Sequence, residues 1–197
     1  YISADSQSSL YRNGKVLTRR NLEGTDSEWV GVNYEQHEVV VNDARNGVSA
    51  TLEKQGFQLV DDDIESLNIN FFDNDVVLHN YYPLCADRVK ESVGARAVYA
   101  FDHNIRSAVG KKSKKMITGG QQVQGPAHAV HGDYTLTSAP ERLLQLSKPP
   151  GKNDTNRSLI GEGSSLIPPS EVEQISNGGR FAIINLWRSI VPEPVEM

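Results

Sequence analysis

Apolar patterning in this chain comes only in short pieces, each cut off by glycine, proline or an Asn/Asp turn, which limits the fold to short strands alternating with short helices. His37-Glu-Val-Val-Val41 is β-branched and predicts a strand ending at the turn-forming Asn42-Asp43 and Asn46-Gly47. Ser49 to Gln55 predicts one or two helical turns stopped by Gly56, and Phe57-Gln-Leu-Val60 a second strand. The acidic Asp61-Asp-Asp63 suits a helix cap or loop better than calcium, because no glycine-turned ligand loop surrounds it. Pro83 to Val93 predicts a helix with proline in its first turn, Leu84, Val89 and Val93 towards one side, and Gly94 as terminator. Ala97-Val-Tyr-Ala-Phe101 predicts a buried strand, Gly110 to Gly125 a long loop, and Ala127 to Tyr134 another strand. Ser138-Ala-Pro-Glu141 has the form of a capping box and predicts a helix through Leu146. Pro149 to Pro169 reads as an excursion able to cover a site, and Arg180 to Arg188 as a closing strand buried on both faces.

A length of 197 residues suits one domain. With 38% hydrophobic residues, 23% charged residues and a formal charge of -5, the chain reads as a soluble globular protein that binds neither nucleic acid nor membrane. The basic run Lys111-Lys-Ser-Lys-Lys115 has no interleaved aromatics and reads as a solvated loop. The single cysteine, Cys85, can form no internal disulfide, which fits a reducing, cytoplasmic compartment. Tyr1-Ile-Ser-Ala-Asp5 has neither a basic nor an apolar signal region and no initiator Met, so a preceding segment is compatible with it.

One stretch carries chemistry: Ala127-His-Ala-Val-His-Gly-Asp-Tyr134. Residues two apart on a strand project from one face, so His131 and Asp133 present an imidazole and a carboxylate side by side. Two histidines and one carboxylate on one face of an octahedron leave three positions for a bidentate cosubstrate and dioxygen. A surface His and Asp that only bond to each other would leave the same trace. Strand parity places His128 on the opposite face, as a supporting or structural residue unless the strand bulges. His103 follows a buried strand and reads either as a substrate contact or as a structural group. Cys85 has no obvious His partner, and the chain has no GxSxG, GxGxxG or phosphate-loop motif, so hydrolase chemistry falls behind.

Several segments together resemble the gibberellin desaturase and cephamycin methoxylase-related group of iron and 2-oxoglutarate oxygenases of fungal and bacterial secondary metabolism. They are Asn42-Asp-Ala-Arg45, Gly56-Phe-Gln-Leu59, His79-Asn-Tyr-Tyr-Pro83, Phe101-Asp-His-Asn-Ile-Arg106, Val130-His-Gly-Asp-Tyr-Thr135 and Phe181-Ala-Ile-Ile-Asn-Leu-Trp-Arg188. They run in the group's order from about Glu38 onward, whereas the first 30 or so residues and the Pro149 to Pro169 excursion match nothing in it.

The resemblance implies a mainly β fold with flanking helices, a double-stranded β-helix or cupin-like jelly-roll core. A single oxygenase domain over 1–197 would have an N-terminal α/β flank to about residue 95 and the core from about residue 96. It assigns His131 and Asp133 as ligands of Fe(II), with 2-oxoglutarate and dioxygen as cosubstrates. The group's third ligand is a histidine on a later strand, and no histidine follows His131 here. The resemblance therefore implies that this histidine, a basic residue for 2-oxoglutarate and the end of the core lie outside the chain.

Asn185 and Arg188 are candidate cosubstrate contacts, an amide and a guanidinium for two carboxylates. Parity puts them on opposite faces, so at most one points inward unless the strand ends or bulges, and a surface arginine is the other reading. Asn104, Arg106, Tyr134 and Thr135 are further cavity candidates, Arg106 suiting a carboxylate-bearing substrate. The implied activity is hydroxylation, desaturation or oxidative cyclisation of a small natural product. The competing class is an inactive jelly-roll binding or accessory protein that lacks the third ligand.

Overall fold

The computed structural model describes residues 1, 3, 18–19, 28–29, 34–46, 49–63, 67–127 and 130–191, which fall into two units, Tyr1–Leu59 and Val60–Met197. In the first unit, β1 (Thr18–Arg19) pairs antiparallel with β2 (Glu28–Trp29), Thr18 opposite Trp29. Helix α1 (Leu52–Gln55) forms within the predicted Ser49 to Gln55 span, starting three residues later. The Thr51 hydroxyl accepts from the Lys54 N–H at 3.3 Å, and Gly56 ends the helix at a φ of 77°, a conformation that favours glycine.

The second unit is built round a broken helix. Asp73 caps α2 (Asn74–Val76) by accepting the Val76 N–H at 3.2 Å. A π-helical turn (Val77–Tyr81) follows, then α3 (Tyr82–Val93), ended by Gly94 at a φ of 62°. The helix predicted over Pro83 to Val93 is thus present, joined to an earlier turn. Proline inside a helix lacks a donor and crowds the carbonyl four residues back, here that of His79. The helix opens just before it, the Tyr82 N–H reaching back to the Val77 carbonyl. Val77, Leu78 and Tyr82 bury themselves against Phe71, Tyr81 and Ala100.

A second cluster, Ile105, Ile117 and Val123, packs with Phe71, Phe72 and Ile190. Two of its members lie in the 110–125 segment expected to be a long loop, which instead holds core residues. Ser107 caps α4 (Ala108–Lys112) through the Gly110 N–H at 3.1 Å. A Cβ on Gly110 would meet Val123 Cγ1 at 2.8 Å, so only glycine lets this turn approach the core. Isolated bridges join Asp73 to Thr118, Arg106 to Gln124 and Met116 to Gln122. Lys115, from the basic run, is exposed and sets its Nζ 3.3 Å from the centre of the Phe72 ring.

The third cluster joins Leu146, Ile167 and Val172 to Tyr99, Phe101, Leu143 and Leu166. Helix α5 (Ser138–Leu146) has the predicted bounds, but its first N–H is met by the Thr135 hydroxyl at 3.1 Å and not by a capping box. The 149–169 excursion is anchored. Asp154 accepts from the Gly151 N–H at 2.7 Å and from Arg142 at 3.0 Å. Burial alone would raise its pKa, but these bonds hold the carboxyl below the usual range. Helix α6 (Pro169–Ser176) then adds Val172 to the cluster.

The mainly β, jelly-roll architecture does not hold for the described residues. Among the described residues, β structure amounts to the β1–β2 pair and the isolated bridges. The segments read as strands at His37–Val41, Phe57–Val60, Ala97–Phe101 and Arg180–Arg188 are not assigned to strands, nor are the described parts of Ala127–Tyr134. Their β-branched and aromatic residues fit a pleated, half-buried surface, but a strand also needs a neighbour to pair with. Lacking one, Val40 and Val41 stand 86% and 89% exposed, and Trp187, expected to be buried, is 79% exposed. Helices and turns bury the core instead.

Candidate active site

His131 and Asp133 lie in an irregular segment, their functional atoms facing each other. His131 Nε2 is 3.5 Å from Asp133 Oδ1, and both side chains are about half exposed. The other carboxylate oxygen, Oδ2, accepts a hydrogen bond from Asn185 Nδ2 at 2.9 Å. The segment is held from its C-terminal side. Tyr134 sets its ring edge towards Phe101, centroids 6.3 Å apart, and the Thr135 hydroxyl accepts the N–H groups of Thr137 and Ser138. His128 lies outside the described residues.

An imidazole nitrogen and a carboxylate oxygen suit a divalent transition metal. Two such donors about 2.1 Å from one ion, in neighbouring octahedral positions, would be about 3 Å apart, so small rotations of these exposed side chains suffice. The donor pair fits Fe(II). Among the described residues, no group of three His, Cys, Asp or Glu side chains gathers to hold a metal ion.

The other candidates are placed elsewhere. His103 Nδ1 bonds the Tyr82 hydroxyl at 2.9 Å, with the rings edge to face. In the ring protonated only at Nε2, Nδ1 accepts that hydroxyl proton. Burial pushes the His103 pKa down, against the opposing pull of Asp102. Asn104 Oδ1 accepts from Gln124 at 2.5 Å, and Arg106 donates to the Gly125 carbonyl at 3.0 Å. Both hold the 105–125 cluster together. Arg188 donates to Asp62 at 2.7 Å.

A pH dependence follows from His103. Its folded-state pKa lies below the unfolded value of about 6.5, so the unfolded chain binds the proton first. The contribution is complete above that value and is lost as pH falls through the folded-state pKa. The melting temperature should therefore fall as pH is lowered below about 6.5. His103→Gln, which keeps an acceptor for Tyr82, should flatten that part of the profile in thermal melts.

Sequence reasoning missed a second cavity, of about 200 Å³, lined by Asp62, Tyr81, Cys85, Arg88, Leu186 and Arg188 among others. Asp62 bridges two guanidiniums, Arg88 at 3.0 Å and Arg188 at 2.7 Å. Burial pushes up the Cys85 thiol and the Tyr81 hydroxyl, keeping both protonated near neutrality. The signal was available: Tyr81, Leu84, Cys85 and Arg88 follow the i, i+3, i+4, i+7 spacing of one helix face.

The family model described as "Oxidoreductase/YMDC permease-like domain" matches residues 1–197. The chain belongs to this oxidoreductase family. A protein of Methylophilus leisingeri described as "Uncharacterized protein in dcmA 3'region" is 43% identical over 191 residues, covering 96% of this chain and 88% of that protein. The hydroxylase/desaturase efuI of Hormonema carpetanum is 32% identical over 150 residues, 73% of this chain and 46% of the relative. The alpha-ketoglutarate-dependent dioxygenase phiK of a fungal species is 37% identical over 144 residues, 71% and 41% respectively. The chain spans less than half the length of these two fungal relatives. No solved structure matches it. Among its described residues no helix is long and apolar enough to cross a membrane.

Proposed function

We propose that His131 and Asp133 provide two of the protein ligands of Fe(II) in a 2-oxoglutarate-dependent oxygenase acting on a small natural-product substrate. The observation that carries the reading is the 3.5 Å approach of His131 Nε2 to Asp133 Oδ1 on a half-exposed surface. Support comes also from the fungal relatives named as alpha-ketoglutarate-dependent dioxygenases and as a hydroxylase/desaturase. Bound with 2-oxoglutarate and dioxygen, the iron supplies the oxidising power to remove hydrogen from carbon, with hydroxylation, desaturation or cyclisation as outcome.

The chain's own residues orient that chemistry. His131 offers Nε2 and Asp133 offers Oδ1, while Oδ2 stays engaged with Asn185. Tyr134 and Thr135 fix the backbone behind them. Arg188, bonded to Asp62, serves the second cavity in this arrangement, so the reading does not rest on it as a cosubstrate contact.

Anaerobic titration of the protein with Fe(II) and 2-oxoglutarate tests the reading. The visible charge-transfer absorption of the chelate should saturate at one iron per chain, and admission of dioxygen should release succinate. A folded protein that takes up no iron would defeat the proposal and leave a binding or accessory role.

A further inference from the structure

We infer that Asn185 is a positioning residue for Asp133, holding one carboxylate oxygen so that only the other is presented to the metal. The inference rests on the iron reading above. A carboxylate can ligate through one oxygen or both, and the second mode would occupy a coordination position that cosubstrate and dioxygen need. Asp133 is about half exposed, and the hydrogen bond from Asn185 reaches one of its two oxygens. Asn185 makes the choice. Its Nδ2 donates to Oδ2 at 2.9 Å, while Oδ1 faces His131.

The amide is itself held in place. Asn185 belongs to the irregular 181–190 segment, in which Leu186 and Arg188 line the second cavity. Arg188 is tied to Asp62 at 2.7 Å, and Ile190 packs on the Ile105, Ile117 and Val123 cluster. The segment is thus fastened on its C-terminal side, which keeps the amide over Asp133 at little entropic cost when metal binds.

The test uses Co(II), whose visible absorption reports coordination, with the full chain and two variants. Asn185→Leu keeps the approximate shape and removes the donor without adding a ligand, and Asn185→Gln retains an amide donor. Wild type should bind one Co(II). Asn185→Leu should bind it about tenfold more weakly or worse, with an altered spectrum. Asn185→Gln should recover most of the loss, and all three should melt alike without metal. Wild-type affinity and spectrum in Asn185→Leu would overturn the inference and leave the oxygenase reading standing. A loss of affinity that tracks a lowered metal-free melting temperature, unrescued by Asn185→Gln, would make Asn185 a merely structural contact and overturn it too. Failure of the wild type to bind Co(II) or Fe(II) would remove the iron reading and this inference together.

Discussion

Replacing His131 by alanine should weaken Fe(II) binding by more than about 100-fold, beyond the loss usual for a residue that only supports a ligand, and should abolish succinate release. Equilibrium titration of variant and wild type side by side measures the first effect, and product analysis under saturating 2-oxoglutarate the second. The fold should hardly respond. With a side chain about half exposed, His131→Ala should change stability by no more than about 0.5 kcal/mol. Retained turnover would show that the wrong histidine had been named, and the other histidines could then be replaced in turn.

Leu78→Ala should have the largest effect on stability, because Leu78 is 1% exposed and packs at the centre of the cluster with Val77 and Tyr82. Truncation forfeits the transfer free energy of the lost carbons and leaves a cavity that the helix cannot close, a cost of about 3 kcal/mol. For a chain of this size the midpoint should fall by roughly 6–12 °C in a thermal melt followed by circular dichroism. Val109→Ala, at a position 77% exposed, should move the midpoint little and serves as the control. A Leu78→Ala protein that melts like wild type would mean that this cluster does not hold the second unit together.

What could be read in the sequence was what a few neighbouring residues decide. Gly56 ends α1 and Pro83 and Gly94 bracket most of α3, because prolines and terminators act within one turn, whereas α5 starts at Ser138 without the capping box that announced it. His131 and Asp133 were legible as a pair for the same reason. Strand pairing is not local: β-branched runs such as His37–Val41 show what a strand could contain but not whether a partner exists. The core residues Ile117 and Val123 were hidden among the lysines and glycines of a segment that looked like a loop. Asn185 meets Asp133 across 52 positions of sequence, a separation that no motif spans.

The π-helical turn at Val77–Tyr81 has one more consequence. Before it, Asp73 and Asn74 must face the Thr118 strip, where the Asn74 N–H meets the Thr118 carbonyl at 2.9 Å. From its last residue onward, Tyr81, Cys85 and Arg88 must face the second cavity. A regular helix advances about 100° per residue and would fix the angle between those two directions by residue count alone. The widened turn supplies a phase offset, so one continuous rod answers to two neighbours set at an angle that uniform winding would miss, with Pro83 as the wedge at the joint.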